Sequence, residues 1–310
     1  MYVSFITNKD NEFEIINFGE YYFPSEELQK DLKKLIIFTE NTVKHNVPNG
    51  SVFVYDKNAE YNPEILKSDV GCGITAFIME GMPFDENSKK EILKAVDSLN
   101  THIGQGNHFL DFTTPHPKVR KDNLESIMVF LHSDFNNENY VPKTFEEAKG
   151  LEQRAKDKRL SYLEQLANLL GLKYEFYNDW THNSVNLEDD FLVYRKGAIN
   201  LKETNNIGLL ALNPLDGLYL YAADFEEYLH SMQHGTGRIG SKGQLFERAE
   251  RYAYGIARGF SFSELLKEKD VVKEIYRPID SFMDNFWDKQ KKIGYCVPNF
   301  VILTKKSRGD

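Results

Sequence analysis

An α+β fold built on a large mixed or antiparallel sheet is what the sequence predicts, and three observations predict it. Short runs of β-branched and aromatic residues recur along the chain, helical periodicity is confined to a few segments, and the two kinds alternate without a regular βαβ beat. The 310 residues, 41% of them hydrophobic, suffice for a large core. No internal repeat or low-complexity linker divides them, so residues 1–310 are taken as a single domain.

The elements follow in order. "MYVSFI" reads as an edge strand. Pro24 and Ser25 open a predicted helix with Leu28, Leu32, Leu35, Ile36 and Val43 on one face, ended by "VPNG". "SVFVY" and "ITAFIM" are strands. A helix from Glu86 to Leu99 carries Ile92, Val96 and Leu99. "SIMVFLHS" is a continuous apolar strand that ends on His132. A long helix runs from Thr144 to Leu170, with Leu163, Leu166, Ala167 and Leu170 as its later core face and Gly171 as its stop. Strands at "YEFY", "FLVY", "IGLLAL" and "GLYLYAA" follow, then a helix from Gln244 to about Ala257, a charged helical stretch and a last strand, "NFVILT".

Composition narrows the function classes. The two cysteines, Cys72 and Cys296, exclude a disulfide scaffold and suit a reducing compartment. The opening "MYVSFITNKDNEFE" carries charges too early for a signal peptide, and no apolar run approaches the ~20 residues that span a bilayer. A cytoplasmic protein without membrane contact is expected. The net charge of −9 argues against a general nucleic-acid coat but leaves room for a local basic cleft. The clusters "KVRKD", "RAKDKR" and "KKSRGD" each read as solvated faces or a terminus.

The chemistry concentrates at element ends. In "SDVGCGITAFIM", Asp69 and Cys72 stand just before a strand, between glycines that permit a tight turn or a close approach. Four of the eight histidines occupy similar places: His108 in "GQGNHFLDF", His132 at the end of its strand, His182 in "DWTHNSVN" and His234 in "QHGTGRIGSKG". The remaining four, His45, His102, His116 and His230, sit in ordinary polar surroundings. Imidazole, thiolate and carboxylate together suit divalent metals. Asp69, Cys72, His108, His132 and His182 are more ligands than one tetrahedral ion needs, so two ions sharing a thiolate would use them economically. Glycine-rich "HGTGRIGSKG", with Arg238 and Lys242, and "YRKGA", with Arg195 and Lys196, suit phosphate. The mouth of the pocket is therefore expected to be locally positive.

Taken together and in this order, "DVGCG", "GQGNHFLDF", "LHS", "THN", "YRKGA" and "HGTGR" resemble the RtcB family of tRNA-splicing RNA ligases. The resemblance implies the family's own mixed α/β fold around a metal pocket, two manganese ions, and GTP as co-substrate. It implies the joining of RNA 3′-phosphate or 2′,3′-cyclic phosphate ends to 5′-hydroxyl ends through a guanylylated histidine. Carried across, Asp69, Cys72, His108, His132 and His182 would be metal ligands, with Cys72 bridging, and His234 the nucleophile. Asn107 would contact the nucleotide phosphate, Asp111 the guanine and Arg238 phosphate. Lys242 stands where the family has a second arginine, and Lys305 or Lys306 would contact the base.

The sequence also departs from the family. "HSDFNN" replaces "HSGSRG", so an arginine is gone and Asp134 has arrived. "NPLDG" replaces "PGSMG", bringing Asp216. Lys242 lacks the planar fork of arginine, and a His-containing motif expected before Asp69 is missing. Two readings stand: a guanylylating RNA ligase, or a homologue that keeps the metals and hydrolyses a phosphate ester or merely binds nucleotide or RNA.

Overall fold

The computed structural model describes residues 2–7, 11–20, 22–40, 43–44, 46–81, 85–99, 101, 103–104, 108–115, 126–135, 139–239, 257–280, 282 and 290–304. Two sheets dominate it, with few helices. A six-stranded sheet runs in the order Tyr2–Thr7, Glu12–Asn17, Leu32–Ile37, Ser51–Asp56, Phe191–Lys196, Asn183–Glu188. Its second and third strands are parallel and its other pairs antiparallel. An eight-stranded antiparallel sheet runs Lys173–Thr181, Gly73–Glu80, Ser126–Ser133, Phe109–Pro115, Gln290–Thr304, Leu218–Ala223, Ile207–Ala211, with Ala257–Ser261 also paired to the long Gln290–Thr304 strand. The fold is α+β and mostly sheet, and Tyr2–Thr7 is an edge strand as the sequence suggests. No helix among the described residues is long and apolar enough to cross a membrane.

One core lies between the two sheets. Ile16, Ile36, Val52 and Val54 from the smaller sheet meet Ile74, Ala76, Met128, Phe130 and Trp180 from the larger. The opposite face of the larger sheet, with Phe77, Met79, Val129 and Leu131, packs on the helices Glu86–Ser98 and Phe145–Leu169. Strand periodicity then aims the functional residues. Side chains alternate between faces, so Met128, Phe130 and His132 share one face, as do Trp180 and His182, and Ile74 and Cys72. That face is the one turned toward the inter-sheet core. Cross-strand register completes the convergence, because Ile74 pairs with both His132 and Trp180.

The helix expected from Pro24 onward is a correction. A single turn, Glu26–Gln29, is followed by Asp31 at φ 60° and then by the strand Leu32–Ile37. A bulge between Leu32 and Lys34 displaces the pairing with Ser51–Asp56. It places Leu32, Leu35 and Ile37 in one cluster while Ile36 joins the inter-sheet core. An extra residue in a strand buried on both faces imitates the i, i+3, i+4 spacing of a helix. The helix expected from Gln244 falls on residues outside those described, and Ala257 itself opens a strand.

The long helix is fixed at its start by Thr144, whose Oγ1 accepts from the Glu147 amide. Its "RAKDKR" stretch is not wholly a solvated face. Arg159 is completely buried and all five of its N–H groups are used. Nη1 donates to the carbonyls of Gly71 and Ser133, each at 2.7 Å. Nη2 donates to Asp179 and to Thr181 Oγ1, and Nε to Thr75 Oγ1 and Asp179. The helix lies so close that the glycines of "GCG" are required by packing. A Cβ on Gly71 would sit 2.8 Å from Ala155 Cβ, and one on Gly73 would sit 2.7 Å from Arg159 Nη2. Those glycines make room for a helix and not only for a ligand.

Burial alone would raise the Asp179 carboxyl, but Arg159, Thr75 and Thr181 outweigh it and hold its pKa below the usual carboxylate value. A carboxylate lowered on folding stabilises the protein above its unfolded pKa of about 3.9, and the contribution disappears as pH falls below that. Denaturant titrations should therefore show wild-type stability dropping from about pH 4 downward. Asp179→Asn should lose about 3–5 kcal/mol at neutral pH, the cost of breaking a buried pair, and show a flatter acid limb. An unchanged acid limb in Asp179→Asn would contradict this assignment.

Candidate metal centre

Cys72, His108, His132 and His182 converge where their strands end. Cys72 Sγ lies 3.4 Å from His108 Nε2 and 3.2 Å from His132 Nε2, and His132 Nε2 lies 3.2 Å from His182 Nε2. All four residues are buried, none more than 7% exposed. Donor atoms fall into two groups, each within 4.8 Å: Cys72, His108, His132 and His132, His182, His234. The backbone locks this arrangement. Gly71 N bonds to Asn183 O, and the amides of His182 and Asn183 bond to Cys72 O.

The fit to a metal rests on these distances. Nitrogen at ~2.0–2.1 Å and sulfur at ~2.3 Å from a shared ion stand roughly 3 to 3.6 Å apart across tetrahedral or octahedral angles. An imidazole nitrogen offers one in-plane proton or one lone pair. Nε2 of His132 faces both Cys72 and His182 at 3.2 Å, so lone pairs aimed at a cation satisfy both neighbours at once. Burial drives the imidazolium form of His182 well down, and His234, His132 and Arg159 push it further. The neutral ring that results is the ligating form.

His234 occupies a different setting. It follows the short strand Ser231–Gln233, which pairs with Ala198–Asn200. Its ring stacks on His182 with centroids 3.9 Å apart and an 18° tilt. Nδ1 lies 2.9 Å from Gly197 O and 3.2 Å from Glu40 Oε2. Burial alone would lower its pKa, but the charge and hydrogen bond of Glu40 and the Gly197 carbonyl outweigh it and raise it. With a proton held on Nδ1, Nε2 is the atom left for chemistry. A cleft opens beside it, lined by His132, His234, Glu40, Asp111, Arg238, Phe109, Tyr276 and apolar residues of the larger sheet.

The other expected residues divide. Asp111 and Arg238 line the cleft. Burial pushes the Tyr276 hydroxyl up, Arg238 opposing and Asp111 reinforcing it, which places the three together. The Asp69 carboxylate belongs to neither donor group among the described residues; its Oδ2 lies 3.6 Å from Lys196 Nζ. Asn107, Lys242, Lys305 and Lys306 lie outside the described residues. His230 pairs with Asp224 at the surface. Of the four cations expected to make the mouth positive, Arg238 lines the cleft and Lys242 lies outside the described residues, but the expectation is corrected for Arg195 and Lys196. Both are fully buried. Arg195 is clamped by Glu188, Ser231 Oγ and Leu229 O, and Lys196 by Ile65 O and Asp69. What "YRKGA" supplies to the site is the Gly197 carbonyl.

Three contributors were missed from sequence. Glu40 is 3% exposed and sits in a stretch read as helix. Asn183 donates to Asp69 O and accepts from Gly197 N, and its place beside His182 in "THN" was the available signal. Arg159 was hidden in a charge run. No model of a known protein family matches the chain, and no curated protein does.

Divalent metal should raise the melting temperature of the wild-type protein by several degrees at an excess of about 100-fold over Kd, an effect of about 2.7 kcal/mol. Cys72→Ala and His132→Ala should abolish the shift. Equal shifts in wild type and Cys72→Ala would contradict a site built on this cysteine.

Proposed function

We propose that the chain is an RtcB-like RNA ligase, which joins RNA 3′-phosphate or 2′,3′-cyclic phosphate ends to 5′-hydroxyl ends by way of a guanylyl-histidine. The observation that carries the reading is the juxtaposition of His234, its Nδ1 held by Gly197 and Glu40, with the Cys72–His108–His132–His182 cluster on one side and a cleft containing Arg238 and Asp111 on the other. Hydrolysis of a phosphate ester needs no such oriented histidine.

The chain's own groups would act as follows. GTP would bind at the cleft, with Arg238 against phosphate oxygens and Asp111 toward the base. Gly197 O and Glu40 hold the proton on Nδ1; although Glu40 also favours the imidazolium, it is the neutral ring, with the Nε2 proton lost to solvent, whose Nε2 attacks the α-phosphorus. A P–N bond forms and the bond to pyrophosphate breaks. The GMP then passes to the RNA 3′-phosphate and is displaced by the 5′-hydroxyl. Cys72, His108, His132 and His182 would hold divalent ions, manganese in this reading, which would stabilise the negative charge that spreads over the phosphoryl oxygens.

A metal-dependent phosphoesterase is the second reading, and one observation favours it. Asp134, in "HSDFNN", places Oδ2 3.8 Å from His108 Nε2, a carboxylate beside the cluster that would serve hydrolysis as a base toward water.

The test is incubation with manganese and radiolabelled GTP, followed by denaturing gels. Wild type should form a covalent, acid-labile adduct and ligate matched RNA ends. His234→Ala should form no detectable adduct and retain the metal-dependent melting shift. Wild type that forms no adduct with any nucleotide, yet cleaves a phosphate ester equally well after His234→Ala, would establish the second reading instead.

A further inference from the structure

Arg159 reaches three of the four ligand-bearing segments from a helix outside the site, and at each it binds beside a ligand; the His108 segment is the one it does not touch. Gly71 precedes Cys72, Ser133 follows His132, and Thr181 precedes His182; Arg159 donates to Gly71 O, Ser133 O and Thr181 Oγ1. One nitrogen, Nη1, bonds to both carbonyls at 2.7 Å, so a single planar group sets the spacing between the Cys72 and His132 segments. Asp179, in the strand that carries His182, receives the other edge of the fork. Five donors in a rigid plane reach all these acceptors, whereas the three donors of a lysine on a flexible stem cannot. Ligating atoms must be held within about half an ångström for metal affinity, and such positioning falls to the groups behind the ligands.

We propose that Arg159 is a positioning residue of the metal centre: it sets the mutual placement of Cys72, His132 and His182 and through it the affinity for metal. This rests on the reading of that cluster as a metal site. Gly73 packs directly against the guanidinium, where a Cβ would lie 2.7 Å from Nη2.

The test is cobalt titration of the full chain, read by the thiolate-to-cobalt absorption band that reports Cys72 ligation, with circular dichroism to establish folding. Arg159→Lys should stay folded and bind cobalt at least about tenfold more weakly. Leu166→Ala, a core truncation in the same helix, should lower the melting temperature but leave cobalt affinity within twofold. Should Arg159→Lys fail to fold, Thr181→Val is read in its place, with an expected loss of about threefold or more. Affinity within twofold of wild type in the folded arginine variant, or in Thr181→Val where that is the one read, overturns the proposal. So does an equal loss in Leu166→Ala, which would make the effect general destabilisation. Wild-type protein that takes up no cobalt overturns the metal-site reading and this inference with it; the other adverse outcomes overturn the inference alone.

Discussion

The buried guanidinium of Arg159 is the constraint around which the larger sheet and its long helix are arranged. A charge taken out of water is costly unless it is paired and its hydrogen bonds are met. Here the charge meets Asp179 and every N–H finds an acceptor. Those acceptors lie on separate segments, so none can shift without stranding a buried donor, at about 1–3 kcal/mol each. The glycines of "DVGCG" follow from the same demand, because only residues without a Cβ let the helix and its arginine approach.

The same device recurs on the other side of the site. Arg195 and Lys196 are fully buried and paired with Glu188 and Asp69, and Asn183 ties the Asp69 turn to Gly197. Buried ion pairs contribute little net stability compared with apolar packing. Their effect here is geometric: they hold loops from both sheets against one another, so that His234 from one excursion stacks on His182 from another. The histidine and cysteine donors thus crowd together at 3.2–3.4 Å within a rigid frame.

Much of this was legible in the sequence. Apolar runs such as "SIMVFLHS" could only be central strands, and period-two alternation then places His132 toward the inter-sheet core. The residue types at element ends marked Asp69, Cys72, His108, His132 and His182 as one ligand set, of which all but Asp69 join the donor groups, and the resemblance added His234. What escaped had physical reasons. A β-bulge gave Leu32, Leu35 and Ile36 a helical rhythm. Arg159, Arg195 and Lys196 looked like solvent or phosphate cations because side-chain burial does not follow from charge. Glu40 lies in the same misread stretch and meets His234 only through tertiary folding.

The proposed chemistry at this site depends on a cation held by one thiolate and several imidazoles. X-ray absorption at the metal edge of protein loaded with one equivalent of zinc or cobalt tests that most directly. The expected result is one sulfur at ~2.3 Å and two or three nitrogens at ~2.0–2.1 Å, with the sulfur lost in Cys72→Ala. A shell of oxygen atoms alone, unaltered by that substitution, would contradict it.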